Sequence, residues 1–300
     1  MGIKTTHAIT FPKDFPPATT GVLLLDRKLL LTGHKNGFLV KWNLENGNYH
    51  ILFKSDSPVM SVSFSGENRI AVGYHSGGLY VIELDAESKV KTLRRPQYSV
   101  NSRVWRTLWL DNRNLLLTST YGELTPFHES NGKWKEEFSG LKGHSNSIFG
   151  IDCFNGEYIA SGDYRGNIII WEHEDGRYTA LQNLHVVGNV QDICWNDERC
   201  FAVITDTGKT YLIEKKSAEE KNWETVLEVD IANYPGKCIQ MTDDGTTIFF
   251  GTIAELVQFD LESHQSETKK IPRIRRIFAS GKQIYVLTEN GLDLFENTII

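Results

Sequence analysis

The feature that most constrains the fold of this chain is a repeated pair of short strands joined by a tight turn. In the first repeat, the apolar run LLLTGHKNG ends in a turn glycine, Gly37, and the run FLVKW that follows ends at Trp42. The same frame recurs along the 300 residues with these turn and anchor positions: Gly77 and Ile82, Gly122 and Phe127, Gly166 and Trp171, Gly208 and Ile213, Ala254 and Phe259, and Gly291 and Phe295. This spacing matches the repeat length of about 40–45 residues that is typical of four-stranded propeller blades.

Each repeat has room for two further strands. An apolar segment precedes every strand pair: Gly21–Leu25, Val59–Phe64, Val104–Leu110, Ile148–Phe154, Val190–Trp195, Lys237–Met241 and Ile274–Phe278. A more polar strand follows the first six pairs, as in Tyr49–Lys54, Lys133–Phe138 and Thr225–Asp230. An apolar first strand and a polar last strand indicate sheets that are buried at one edge and exposed to solvent at the other.

The two ends of the chain complement each other. The strand-like segment within residues 3–11 belongs to no repeat, whereas the seventh repeat ends too soon after Phe295 to supply a fourth strand. We therefore expect the N-terminal strand to complete the last sheet and to close the ring of sheets without a free edge. The sequence predicts an all-β, seven-bladed propeller of four-stranded antiparallel blades, with residues 1–300 in a single domain.

The fourth repeat carries the motif that links the chain to a known family. It contains Gly-His ending at His144, then YIASGDYRG, and then NIIIW ending at Trp171. This arrangement resembles the WD-repeat β-propellers, in which a His, a Ser or Thr, an Asp and a Trp form a hydrogen-bonded network. The resemblance places His144, Ser161 and Trp171 on three of those positions, with Arg165 on the Asp position. The first repeat keeps Trp42, and the others carry Ile or Phe there, so the chain resembles a degenerate member.

Composition and charge restrict the classes of function. The formal net charge of −6 does not favour a surface that binds nucleic acid or membranes as a whole. The four cysteines form no C-x-x-C pair, which predicts buried, reduced thiols. No signal peptide and no apolar run long enough to span a membrane is recognisable. We therefore expect a cytoplasmic protein, or a nuclear one if the source is eukaryotic.

A search for catalytic and metal-binding motifs yields no candidate residues. The nine histidines show no metal-ligand spacing, and no glycine-rich phosphate loop precedes a helix. We expect no catalytic residue, metal or cofactor. One alternative stays open, because His34 and His75 fall in corresponding turns of neighbouring repeats and could form a paired-imidazole metal site. Two exposed loop histidines are the simpler interpretation.

The turns between second and third strands are candidate partner-binding positions, because in a propeller these loops emerge on one face and loops on a rigid scaffold carry function. Tyrosine and arginine are frequent in interface hot spots. The sequence predicts a tyrosine-lined rim over the second to fourth repeats, with these partner-binding residues: Tyr74, His75, Tyr121, Asp163, Tyr164 and Arg165.

Two basic clusters give a further candidate surface. The segment Arg94–Tyr98, with Arg103 and Arg106, flanks the entry to the third repeat, and lysines and arginines between residues 269 and 276 flank the entry to the seventh. Of these we expect Arg95, Arg103, Arg273 and Arg275 to bind partners. The alternative is that these arginines face solvent or pair with nearby glutamates.

Three functions follow from these features. The first is a non-catalytic scaffold, monomeric by itself, that binds a protein or peptide within a multiprotein complex. The second is a propeller that binds phosphorylated, acidic or nucleic-acid ligands through the arginine clusters. The third is an enzyme or a metal-dependent propeller, for which no residue is a candidate beyond His34 and His75.

Overall fold

A computed structural model describes residues 4–96, 102–137, 141–174, 177–217, 219–230 and 232–296. All the regular secondary structure in these residues is β-strand. Accordingly, the described part of the chain contains no helix long and apolar enough to cross a membrane.

The described strands form seven four-stranded sheets, numbered here by their order along the chain. The first three consist of β2 (Ala18–Leu24), β3 (Leu29–His34), β4 (Phe38–Asn43) and β5 (Tyr49–Lys54); β6 (Val59–Phe64), β7 (Arg69–Tyr74), β8 (Leu79–Leu84) and β9 (Val90–Arg94); and β10 (Val104–Trp109), β11 (Asn114–Ser119), β12 (Leu124–Ser130) and β13 (Lys133–Glu136).

The next three sheets repeat this pattern. They consist of β14 (Ile148–Phe154), β15 (Tyr158–Asp163), β16 (Asn167–Glu174) and β17 (Arg177–His185); β18 (Val190–Asp197), β19 (Cys200–Thr205), β20 (Thr210–Glu214) and β21 (Glu224–Val229); and β22 (Gly236–Met241), β23 (Thr247–Thr252), β24 (Glu255–Asp260) and β25 (Ser266–Lys270). In all six sheets, strands that are consecutive in the chain are neighbours, which confirms the predicted four-stranded repeats.

The seventh sheet joins the two ends of the chain. It contains β26 (Ile274–Ser280), β27 (Gln283–Thr288) and β28 (Gly291–Glu296), with β1 (Lys4–Thr10) as its fourth strand. β1 runs antiparallel to β28, with Ile9 opposite Leu292, and the Phe11 N–H donates to the Asn290 carbonyl at 2.8 Å. This pairing confirms the prediction that the N-terminal strand completes the last sheet.

Contacts between strands group the chain into two compact units. The larger unit holds residues 1–13 and 149–300, and the smaller unit holds residues 14–148. Each has its own apolar core between consecutive sheets. In the smaller unit Leu31 and Val59 belong to one cluster, and in the larger unit Ile204 and Phe250 belong to another.

Glycine allows consecutive sheets to approach closely. A Cβ on Gly33 of β3 would overlap Val59, the first residue of β6. The same pairing recurs in three other places: Gly73 with Val104, Gly162 with Val190, and Gly251 with Ile274. Between the fifth and sixth sheets the two residue types change places. Here the glycine, Gly236, begins β22 of the sixth sheet, and the branched residue, Ile204, lies in β19 of the fifth. A branched side chain on one strand thus fits against a bare backbone on the next sheet, as close-packed interiors require.

Burial changes across each sheet as the sequence predicts. Every residue of β3, β19 and β23 is buried, whereas most of the outer strand β5 is exposed. In the first six sheets the second strand is buried up to its last residue. As a result, several residues that the sequence predicted to lie in exposed turns are buried at strand ends.

Candidate functional site

In the larger unit, the turns between second and third strands are joined to the connections between sheets. The turn at 163–166 of the fourth sheet meets the connection that follows, where the Val186 N–H donates to the Gly166 carbonyl at 2.9 Å. Gly166 has a φ of +80°, and a Cβ there would collide with the Val186 carbonyl oxygen. Only glycine allows this turn and its neighbour to close together.

The same connection continues to the turn of the fifth sheet. The Asp206 carboxylate accepts the Asn189 backbone N–H at 2.7 Å and the Asn189 side-chain amide at 2.6 Å. A Cβ on Gly208 in that turn would stand 2.8 Å from the Tyr234 carbonyl oxygen, so the next connection lies directly against it.

The chain of contacts then reaches the sixth and seventh sheets. The Ile253 N–H donates to the Pro235 carbonyl at 3.3 Å, and the Arg273 N–H donates to the Ile253 carbonyl at 2.8 Å. Residues 163–166, 186–189, 206–208, 232–235 and 253–254 therefore form one continuous surface, which we call the loop surface of the larger unit.

Large apolar side chains are exposed along this loop surface. The exposed fractions are 53% for Tyr164, 58% for Val187, 42% for Tyr234 and 44% for Ile253. All four lie in turns or connections whose backbones are held by the hydrogen bonds and close contacts above. Apolar side chains concentrated on a fixed surface mark an interaction site more often than scattered ones do. Val187, Tyr234 and Ile253 were missed from the sequence: Val187 and Tyr234 lie in connections between sheets, and Ile253 lies in a turn of the sixth repeat, outside the second to fourth repeats that the predicted rim covers.

Two of the three predicted rim tyrosines are exposed, and their partner-binding role stays a prediction. Tyr164 in the larger unit and Tyr121 in the smaller unit are exposed. The prediction for Tyr74 is wrong, because this residue is fully buried at the end of β7. Its ring packs edge-on against Tyr80, with centroids 5.5 Å apart, and burial raises the pKa of its phenol.

Asp163 is also buried, so its prediction as a partner-binding residue is wrong. Its carboxylate accepts the backbone N–H of Arg165 at 2.8 Å and that of Asn167 at 3.1 Å, which holds the turn in shape. Arg165 itself is exposed beside Tyr164, and His75 is half-buried in the smaller unit. Asp163 thus positions the loop surface without being part of it.

The arginines of the seventh sheet are matched by carboxylates. Glu289 forms an ion pair with Arg273 at 2.9 Å and a second one with Arg275. Arg276 binds both oxygens of the buried Asp192, at 2.9 and 3.1 Å. This geometry agrees with the alternative that these arginines pair with a nearby glutamate, and the two guanidinium groups of Arg273 and Arg275 share the single Glu289 carboxylate. Partner binding by Arg273 and Arg275 stays a prediction.

The basic cluster near the third sheet is arranged differently. Arg103 lies over the Trp105 ring at 5.8 Å and Arg95 over the Tyr80 ring at 5.7 Å, and both arginines are exposed. Gln97 and Tyr98 of this cluster lie outside the described residues.

A buried polar network is present in the first sheet, where the sequence suggested only Trp42. The Trp42 Nε1–H donates to Thr32 Oγ1 at 2.7 Å, and Thr32 Oγ1 lies 2.7 Å from His34 Nε2. His34 Nδ1 lies 2.7 Å from the Pro16 carbonyl, so Nδ1 carries the proton and Nε2 accepts the threonine hydroxyl. Burial lowers the pKa of His34 to about 4.

This network corrects the expectation that His34 is an exposed loop residue. His34 ends β3, is fully buried and uses both ring nitrogens within the protein. Within the described part of the chain, no group of three or more His, Cys, Asp or Glu side chains is placed to hold a metal ion. In the fourth sheet, the Trp171 Nε1–H donates to Ser161 Oγ at 2.9 Å, and His144 is half-buried.

The innermost strands of the larger unit carry charges that the sequence analysis missed by treating these strands as apolar. Asp152 accepts the Trp195 N–H at 2.9 Å, and Asp192 accepts the Ile239 N–H at 3.3 Å. Burial raises the pKa of Asp152 to about 7. Asp152 thus links the fourth and fifth sheets, and Asp192 links the fifth and sixth. The ion pair of Asp192 with Arg276 joins the fifth sheet to the seventh by charge-assisted hydrogen bonds.

The cysteines are free thiols. Cys194, Cys200 and Cys238 are buried, whereas Cys153 is only partly so. Burial raises the pKa of Cys153 to about 12 and also raises those of Cys194 and Cys200, which disfavours the reactive thiolate.

Comparison with known proteins identifies the fold. No family model matches the sequence, and no curated protein matches it. The structure is similar to the crystal structure of the WD40 β-propeller domain of Doa1, with a TM-score of 0.78 and 12% sequence identity over 98% of this chain and 97% of that one. Together with its seven four-stranded sheets, this similarity shows that the chain has the fold of a seven-bladed WD40 β-propeller.

Proposed function

We propose that this chain is a non-catalytic interaction module that binds a protein or peptide partner on the loop surface of the larger unit. The observation that carries the proposal is the continuous run of loops with Tyr164, Val187, Tyr234 and Ile253 exposed along it. Most of the exposed side chains on this surface are apolar or aromatic. Such a surface suits binding of a partner, which removes apolar area from water, more than it suits acid–base or nucleophilic chemistry.

The rigidity of these loops supports the proposal. Asn189 and Asp206 join two neighbouring loops by side-chain hydrogen bonds, and Ile253 is held by backbone hydrogen bonds on both sides. A preformed surface loses little conformational entropy when a partner binds, so more of the contact energy appears as affinity. Tyr164 is the strongest anchor candidate, because a tyrosine buries a large area and retains a polar group for hydrogen bonding.

The proposal also includes an oligomeric state, a location in the cell and contacts on the smaller unit. We expect the chain to be monomeric by itself and to act within a multiprotein complex in the cytoplasm, or in the nucleus if its source is eukaryotic. Tyr121, His75 and Arg103 of the smaller unit stay predicted contacts, independent of the loop surface.

Affinity purification from the native host, with partners identified by mass spectrometry, tests the proposal. The tagged wild-type chain is compared with a Tyr164→Ala/Ile253→Ser variant. If the loop surface binds the partner, the variant loses it, since truncation of one hot-spot residue costs about 2 kcal/mol, or about 30-fold in affinity.

The matched control is a Val226→Ser variant. Val226 is 48% exposed but lies on the outer strand β21 of the same unit. Retention of the partner by this control, with unchanged melting temperatures for both variants, ties the loss to the loop surface. A partner that survives Tyr164→Ala/Ile253→Ser but is lost with Val226→Ser places the interface on the outer strands and refutes the proposal.

A further inference from the structure

A basic groove lies on the smaller unit. It lies between the end of β9 in the second sheet and the turn that joins β12 to β13 in the third. Its volume is about 550 Å³, and it is lined by Arg94, Arg95, Pro96, Asn131, Gly132, Lys133 and Trp134. This size is within the range of pockets that hold small ligands or short peptide segments.

The positive charges of this groove are not compensated. Arg94, Arg95 and Lys133 are exposed, and none of them forms an ion pair with another described residue. The neighbouring carboxylates form ion pairs with other residues: Glu83 with Lys91 at 2.9 Å, and Glu129 with Arg69 at 3.7 Å. The pairing with Lys91 lowers the pKa of Glu83, so this carboxylate stays charged and bound to its partner. Three free cations in a chain of net charge −6 make this a local site for an acidic ligand.

The groove also has a fixed apolar side. The Trp134 ring packs edge-on against Trp109 at 5.6 Å, and the Arg69 guanidinium lies 5.8 Å from its centroid. Pro96 is buried beside the exposed Arg95, whose guanidinium lies over Tyr80. Tryptophan and arginine are therefore positioned before any ligand arrives.

We propose that this groove binds an extended acidic peptide segment of a partner protein, in which carboxylates flank an apolar side chain. The apolar side chain contacts the half-buried Trp134, and the carboxylates pair with Arg94, Arg95 and Lys133, arginine being suited to bidentate pairing.

Two observations favour a peptide over a nucleic acid. Arg69 already lies over the Trp134 ring, which limits the stacking of bases on it. The groove is bordered by β9 and β13, which are the outer strands of their sheets and can offer backbone hydrogen bonds to an added extended chain.

Fluorescence anisotropy with the purified chain of residues 1–300 tests this proposal. The probe is a short fluorescein-labelled peptide that alternates glutamate and leucine, and the matched probe has glutamine in place of glutamate. We expect the acidic probe to bind, the glutamine probe to bind at least about tenfold more weakly, and added salt to weaken only the first. Equal binding of both probes, or no binding of the acidic probe, would overturn the proposal.

Charge-reversal variants locate the site. Arg94→Glu/Lys133→Glu should lower the affinity for the acidic probe at least about tenfold, and the milder Arg95→Gln should lower it less. The control Lys35→Glu/Lys142→Glu makes the same change in net charge at exposed lysines of the same unit that do not line the groove, and it should bind like wild type. An equal loss in the control refutes the assignment.

Two competitors separate the peptide from other anions. A phosphoserine peptide without glutamate, or a short oligothymidylate, should displace the acidic probe less well than unlabelled acidic peptide does. Stronger displacement by either one would show that the groove recognises phosphate, and the peptide proposal would fail.

Discussion

His34 provides the sharpest test of the first-sheet network, because its ionisation should control stability at mildly acidic pH. In the folded chain the neutral ring donates to Pro16 and accepts from Thr32. A proton on Nε2 would face the threonine hydroxyl that already accepts from Trp42, within a buried site. Burial therefore lowers the pKa from 6.5 to about 4.

The direction of the effect follows from proton linkage. Between pH 6.5 and 4 the unfolded chain protonates this histidine while the folded chain does not, so stability is complete above pH 6.5 and falls as pH decreases towards 4. At 1.36 kcal/mol per pKa unit, the loss between pH 7 and pH 5 is about 2 kcal/mol.

A His34→Asn variant removes the titration. The shorter amide can still donate to the Pro16 carbonyl, and its loss of the Thr32 contact should cost about 1 kcal/mol at pH 7. The measurement is the free energy of unfolding in urea at pH 7 and pH 5 for both proteins. Wild type should lose about 2 kcal/mol relative to the variant between pH 7 and pH 5, so its advantage of about 1 kcal/mol at pH 7 should become a deficit of about 1 kcal/mol at pH 5.

The comparison with the variant is necessary because other groups titrate in the same range. Asp152 has a raised pKa of about 7, so it acts in the opposite direction and favours the folded state as pH falls. An equal change with pH in wild type and His34→Asn would refute the reasoning. So would a His34 pKa near 6.5 in an NMR titration of the folded chain.

Two further predictions concern buried polar groups. The Tyr74 hydroxyl is buried with no hydrogen-bond partner among the described residues, so Tyr74→Phe should raise the free energy of unfolding by about 1 kcal/mol; destabilisation in a urea titration would show that the hydroxyl is satisfied. Arg276→Met should destabilise the chain by about 3–5 kcal/mol, because it removes the positive charge of Arg276 from the buried Asp192 carboxylate; adding Asp192→Asn should restore part of this loss, and additive losses would contradict the pairing.

The repeat frame predicted most of the fold because strand period and turn glycines are local properties of the sequence. The turn glycines at 37, 77, 122, 166 and 208 all have positive φ values, as the tight turns require. The pairing of β1 with β28 was also predictable, since one end lacked a strand that the other end could supply.

The site was less predictable, because the boundary between strand and turn decides burial. Tyr74, His34 and Asp163 are each the last residue of a second strand, and each is buried; the sequence analysis assigned them to the following turn. A shift of one residue separates buried Asp163 from exposed Tyr164.

Charge pairing was equally hidden from the sequence. Arg276 and Asp192 are far apart in the chain and meet only because sheets of the larger unit bring their inner strands together. No local pattern distinguishes Arg273, which forms an ion pair with Glu289, from Arg94, which forms no ion pair with a described residue. Only the three-dimensional arrangement shows which arginines are free to bind a ligand.

The most direct test of the proposed function is amide hydrogen exchange of the chain with and without its captured partner. We predict protection at residues 163–166, 186–189, 206–208, 232–235 and 253–254, with the outer strands β17, β21 and β25 unchanged. Protection on those outer strands, with the loop surface exchanging as in the free chain, would contradict the account.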